Sequence, residues 1–271
     1  RPSVTRSGSK EGLFFSRDSA DITHMRYPNL LLVGVQKSGT TWIHQALSGS
    51  RHIFGSTPKE LNLWGKADYL ARLDEYRARF PAEAKPGARY FLESTPHYFH
   101  APNVLADVAR QIRDTIDDVR IVVILRNPVE RYRSAYVHHM RKGRLPFTER
   151  IDRMTDEQIM LSTGLYGKIL DHWKTVFPDI VVLSYEKLRT DPFGLIQGLF
   201  AELGLDCDLG ADQLGAPVHT SEQKRTGANW PVTPKLTPEL TVRLIEYYRE
   251  DVMHLSGLVD FDVTGWLDQR G

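Results

Sequence analysis

A single cysteine, Cys207, stands in 271 residues, so no disulfide can form within the chain, and a reducing compartment, the cytoplasm, is expected. Long apolar runs are also missing. No stretch approaches the roughly 20 residues that a membrane span needs, and Arg1 to Lys10 is polar and serine-rich, without the apolar core of a signal peptide. Neither sign of charge dominates: 35 Lys and Arg against 34 Asp and Glu leave a net charge of +1, which argues against a general nucleic-acid or membrane surface. The expected partner is a small molecule, and the sequence leaves the oligomeric state open. Internal repeats, low-complexity tracts and interdomain linkers are absent. With 41% hydrophobic residues the chain reads as one domain over 1–271, with 1–24 disordered or peripheral and a loop-rich flap over 207–238.

What is present begins with an apolar run, Leu30-Leu31-Leu32-Val33, that enters Gly34-Val35-Gln36-Lys37-Ser38-Gly39-Thr40-Thr41-Trp42 and then a helical pattern. A strand ending in such a turn brings backbone N–H groups and a helix N-terminus to one point, where a tetrahedral anion can sit. The spacing nearly matches the nucleoside-triphosphate loop, but Thr40 occupies the lysine position of that signature and the lysine lies inside the loop, at Lys37.

A second strand-to-helix passage runs from Val119 to Ser134. Asn127 suits a helix N-cap, Pro128 the first helical position, and Glu130 the third position of a capping box. Arg126 then falls at the strand's carboxyl end and Ser134 about two turns into the helix, where a guanidinium fork and a hydroxyl can share one phosphate. A magnesium-dependent P-loop enzyme should end such a strand in aspartate, and here it ends in Arg126. Glu186, after the apolar run Ile180 to Ser184, suits a solvated or capping carboxylate, so metal-free chemistry is expected.

Strand patterns lie near 29–35, 88–93, 119–125 and 180–185. Helical ones lie near 40–49, 67–80, 103–116, 128–142, 163–177, 192–203 and 237–256. This alternation predicts an α/β fold, a central parallel sheet flanked by helices, with ligands at the strands' carboxyl ends.

The two motifs together, K-S-G-T-T-W and L-R-x-P-x-x-R-x-x-S in that order, resemble the 5′-phosphosulfate and 3′-phosphate elements of sulfotransferases that use 3′-phosphoadenosine 5′-phosphosulfate (PAPS) and release PAP. Lys59-Glu60-Leu61-Asn62-Leu63-Trp64 and Glu93-Ser94-Thr95-Pro96-His97-Tyr98-Phe99 resemble the K-E-x-x-x-F and E-K-T-P-x-Y-F segments of the heparan-type and related bacterial branch. The resemblance implies the P-loop-like sulfotransferase fold and PAPS as donor, without a metal. By the same resemblance Lys37, Ser38, Gly39, Thr40, Thr41, Trp42, Arg126 and Ser134 hold the nucleotide, and Glu60 is the general base. Trp64, His97 and Tyr98 are expected beside the acceptor, and His97 and His100 are alternative bases. Lys224-Arg225-Thr226-Gly227 falls where the family carries a late basic nucleotide element, in altered order, and His219 precedes it. On its own Glu60 would be an ordinary surface carboxylate and 224–227 a solvated basic loop. Tyr166, Trp173 and Phe177 fit a family pattern better explained by core packing. The implied reaction is in-line transfer of a sulfuryl group to a hydroxyl, expected on a small molecule such as a bacterial secondary metabolite or glycoside. A saccharide or polysaccharide acceptor, a P-loop nucleotide kinase and a non-catalytic nucleotide-binding module are the alternatives.

Overall fold

In the computed structural model the described residues are 26–102, 106–215, 230 and 232–268. His219 and the Lys224 to Gly227 element lie outside them, as do residues 1–24 of the expected peripheral segment and the middle of the expected flap.

Leu30–Gly34 forms β1, wholly buried, and Thr40–Gly49 forms α1. Ile53–Gly55 is β2, Leu73–Arg77 is α2 and Tyr90–Ser94 is β3. Val108–Thr115 (α3) leads to β4, Arg120–Leu125, and then to α4, Pro128–Arg141. After β5 (Arg150–Ile151) and α5 (Tyr166–Val176) come β6, Val181–Ser184, and α6, Tyr185–Thr190. Pro192–Glu202 (α7), Lys235–Leu236 (β7) and Pro238–Leu255 (α8) are the last α-helices and strand among the described residues.

Five strands pair in parallel in the order β2-β3-β1-β4-β6. Because side chains alternate along a strand, Leu31 and Val33 face one core with α3, α4, α5 and α8, while Leu30 and Leu32 face a second with α1, α6 and α7. Covering both faces explains why β1 and β4 read as continuous apolar runs. From β1 the chain moves to one side for β2 and β3, then crosses to the other for β4. Their carboxyl ends therefore open a crevice at this switch point, where open α/β sheets collect ligands.

Several boundaries differ from the sequence expectation. The helix expected at 67–80 is a 3₁₀ turn, Tyr69–Arg72, followed by the short α2, and that expected at 163–177 begins at Tyr166 after a 3₁₀ turn. The expected strand at 180–185 stops at Ser184, whose hydroxyl accepts from Lys187 N and caps α6, a helix not foreseen. Strand β2, three residues long, gave too short a pattern to register. Asn127 caps α4 as expected, accepting from Val129 N and Glu130 N. Glu130, however, does not complete a capping box. Its carboxylate pairs with Arg126, and the Asn127 N–H donates to Glu186 Oε1 at 3.3 Å instead.

Candidate active site

The turn after β1 is held open by its backbone. Lys37 has φ 73° and Gly39 φ 88°, both left-handed, and a Cβ on Gly39 would lie 2.6 Å from Leu188 Cδ2. That position requires glycine. Gly39 is the N-cap of α1 and offers no side-chain cap, and the helix's first turn holds no acidic residue. The N–H groups of that turn are thus suited to an anion, with no carboxylate of the same turn competing for them. Thr40 is buried and Thr41 exposed, so Thr41 is the more open hydroxyl. Ser38 is fully buried, and its Oγ has no hydrogen-bond partner among the described residues. Trp42 is also buried, with its indole N–H donating to Gly215 O at 3.2 Å.

Arg126 leaves the carboxyl end of β4 and reaches this loop directly. Its Nη1 donates to Lys37 O at 3.1 Å, its Nη2 to Glu130 Oε2 at 2.9 Å, and its guanidinium stacks 4.5 Å from the centre of the Tyr185 ring. The loop and the arginine motif are thus parts of one wall. Ser134 is half-buried further along α4. Two residues within the expected flap contact the helices behind the two motifs: Gly215 O accepts from Trp42 of α1, and Pro234 O from Arg133 Nε of α4 at 3.1 Å.

Three histidines stand near enough to the loop to interact with it. His97 Nε2 lies 3.4 Å from Gln36 Nε2 in the loop, and burial lowers the His97 pKa against the pull of Glu60. His138 and His139, near the end of α4, are lowered to about 4 by burial, and the charges of Lys37 and Arg144 act on both in the same direction. Sequence reading missed this pair, because a histidine doublet late in a helix carries no spacing signal. His100 is buried with Nε2 unpartnered among the described residues, and burial lowers its pKa to about 4.

Glu60 stands close enough to His97 to act on it electrostatically, but its side chain is 40% exposed and its Oε1 pairs with Lys59 Nζ at 3.0 Å. A left-handed backbone, φ 68°, turns Glu60 outward beside a cleft of about 120 Å³ also lined by Pro58, Arg72 and Arg79. The buried carboxyl at this end of the sheet is Glu93, fully enclosed and raised to about 7 by burial, against the lowering effects of Thr95, the Leu61 N–H and Lys59. No sequence signal separated its role from that of its neighbours.

Two expected acceptor contacts are corrected. Trp64 is only 4% exposed. Its indole N–H donates to the Tyr76 hydroxyl at 3.2 Å, and its ring packs against Tyr69 and Tyr76, because the segment after Glu60 turns into the core. Tyr98 is 2% exposed, and its hydroxyl accepts from Leu63 N at 2.8 Å, so it braces the loop instead of facing a ligand. Tyr166, Trp173 and Phe177 are core residues, as expected. Among the described residues no group of three or more His, Cys, Asp or Glu could hold a metal, and no helix is long and apolar enough to cross a membrane.

A parallel α/β sheet whose first strand ends in a glycine-kinked anion loop, abutted by an arginine from the adjacent strand, defines a phosphate-binding-loop protein. Residues 27–254 match the family model of the sulfotransferase domain, and the chain belongs to that family. It is 29% identical over 191 residues to human heparan sulfate glucosamine 3-O-sulfotransferase 6, covering 66% of this chain and 53% of that protein. To human bifunctional heparan sulfate N-deacetylase/N-sulfotransferase 2 it is 26% identical over 207 residues, 69% of this chain and 23% of that one. The chain thus spans about half the length of the first relative and under a quarter of the second. The crystal structure of a sulfotransferase from Alicyclobacillus acidocaldarius superposes with a TM-score of 0.68 at 23% identity, covering 90% of this chain and all of that one, a likeness of fold.

Proposed function

We propose that the protein transfers a sulfuryl group from PAPS to an acceptor hydroxyl. The observation that supports this reading is the Arg126 Nη1 to Lys37 O hydrogen bond, which brings two segments suited to anions into one wall. A 3′,5′-bisphosphorylated adenosine has two phosphates on one nucleoside, and paired sites of this kind suit it. The residues fit the group: an uncapped helix N-terminus free of acids, a Gly39 position that a side chain would fill, and a guanidinium beside both. When bound, PAPS supplies the sulfuryl group.

The chain's own residues do the rest. Lys37, Thr40, Thr41 and the loop N–H groups stabilise negative charge on the departing phosphate, while Arg126 and Ser134 hold the non-reacting 3′-phosphate and fix the donor's orientation. Glu60 takes the acceptor's proton once an acceptor in the adjoining cleft displaces water and Lys59 from its carboxylate. His97 is the second candidate, since its lowered pKa keeps it neutral and able to accept a proton.

The acceptor we propose is a hydroxyl on a small molecule. A saccharide acceptor is the second reading, favoured by the similarity to relatives whose names specify heparan sulfate. Calorimetry with PAP and with ATP, with and without magnesium, tests the donor, and ³⁵S transfer from PAPS to p-nitrophenol, p-nitrophenyl glucoside and heparan sulfate oligosaccharides tests the acceptor. Metal-independent PAP binding with labelled product is expected. Magnesium-dependent ATP binding without PAP binding would overturn the reading. Lys37→Ala should lower transfer by ~10²–10³-fold, whereas Arg126→Ala should chiefly weaken PAP binding, by about 10- to 100-fold.

A further inference from the structure

The loop carrying Glu60 is held by three consecutive backbone N–H groups, each given to a side chain from the carboxyl end of β3. Leu61 N donates to Glu93 Oε1 at 3.3 Å, Asn62 N to Thr95 Oγ1 at 3.2 Å, and Leu63 N to the Tyr98 hydroxyl at 2.8 Å. The acceptors are themselves linked, for Thr95 Oγ1 donates to Glu93 Oε1 at 2.5 Å. Glu93 and Thr95 are fully buried and Tyr98 nearly so. The loop needs such a frame. Glu60 and Asn62 both have left-handed backbones, φ 68° and 52°, a region that asparagine tolerates and that a glutamate holds only where its surroundings support it. Within the loop, Asn62 Nδ2 closes onto Glu60 O at 2.7 Å.

We propose that Glu93, acting with Thr95 and Tyr98, is a positioning residue that fixes the Lys59–Glu60 loop at the acceptor side of the anion cradle. The inference rests on the reading of Glu60 as the base and deepens it. Glu93 touches no reacting atom. Its buried carboxyl converts a rigid strand end into an anchor for an otherwise exposed loop, so the base carboxylate inherits the sheet's precision. One Glu93 oxygen takes both the Leu61 N–H and the Thr95 hydroxyl, while Oε2 has no hydrogen-bond partner among the described residues. Enclosure raises the Glu93 pKa to about 7, in keeping with a group that holds neighbours in place and is shielded from solvent.

Hydrogen exchange of the intact protein tests the frame without an acceptor. The amides of Leu61, Asn62 and Leu63 should exchange slowly, and Glu93→Ala or Tyr98→Phe should speed them at least tenfold while the β1 amides stay protected. Fast exchange of these three amides in the unaltered protein would overturn the proposal. With whichever of the three acceptors above is turned over, Glu93→Ala should lower kcat by about 10- to 100-fold, leave PAP affinity within twofold, and recover partly in Glu93→Gln. Introduced into a Glu60→Gln background, Glu93→Ala should cost almost nothing more, because it acts through Glu60. A fully additive loss would sink the positioning role. Full turnover by Glu60→Gln alone would remove the base assignment and leave the exchange result standing. If Glu93→Ala does not fold, Tyr98→Phe carries both arms, since it deletes one acceptor and keeps the ring.

Discussion

Arg126 donates to two acceptors, a carbonyl of the anion loop and the Glu130 carboxylate. The first aims the guanidinium at the cradle, and the second competes with any phosphate for it. Glu130 is about half exposed, and exposed ion pairs contribute about 0.2–1 kcal/mol. Glu130→Gln should therefore tighten PAP binding by roughly two- to fivefold, measured by calorimetry at low salt; weaker binding would mean that Glu130 orients Arg126 more than it competes for it. At this scale the nucleotide motifs were legible because glycine, lysine and arginine at fixed offsets have few other uses. Trp64 and Tyr98 were misplaced because an aromatic near a loop looks the same in sequence whether it faces a ligand or the core. Only the hydrogen bonds to Tyr76 and Leu63 separate the two fates.

Helix α1 bears the anion loop at its start, so whatever fixes its end also steadies the site. It has no basic residue in its last turn. The positive charge comes from elsewhere, as Lys85 Nζ donates to the carbonyls of Ser48, Ser50 and Ile53 at 2.9, 2.6 and 2.9 Å, tying the helix end to the start of β2. An ammonium there meets the carbonyls that a helix terminus leaves unpaired. Replacing Lys85 by Met keeps the aliphatic stem and removes the donors. It should cost about 1–3 kcal/mol of stability, read by urea unfolding, and an unchanged midpoint would show those carbonyls satisfied by water. The long elements were readable from their periodicity, whereas β2, α6 and the break before α2 were not. A three-residue strand shows no period, and α6 follows β6 without a turn signal because Ser184 both ends the strand and caps the helix.

Across the whole molecule, buried titratable groups set how the fold responds to acid. Burial lowers His44, His100, His138 and His139 to about 4, so between about pH 6.5 and 4 the unfolded chain binds protons that the folded one refuses, and stability falls as pH falls. Glu93, raised to about 7, acts the other way, since the folded state keeps its proton between about pH 4.5 and 7. Four histidines outweigh one glutamate. Thermal unfolding should show Tm dropping from pH 6.5 toward 4, and a flat profile would contradict the burial of these imidazoles. Because His138 and His139 feel the charge of Lys37, bound PAP should raise their pKa and lessen the drop. The sequence by itself determined the class of fold, the two anion motifs and their order, because alternating strand and helix patterns and glycine-kinked turns are local properties of the chain. Only the tertiary structure decided that Arg126 touches the Lys37 loop, that Glu60 is exposed while Glu93 is enclosed, and that two histidines of α4 lie within electrostatic reach of Lys37. Those relations depend on which strand lies beside which, and strand order is set by packing between residues far apart in the chain.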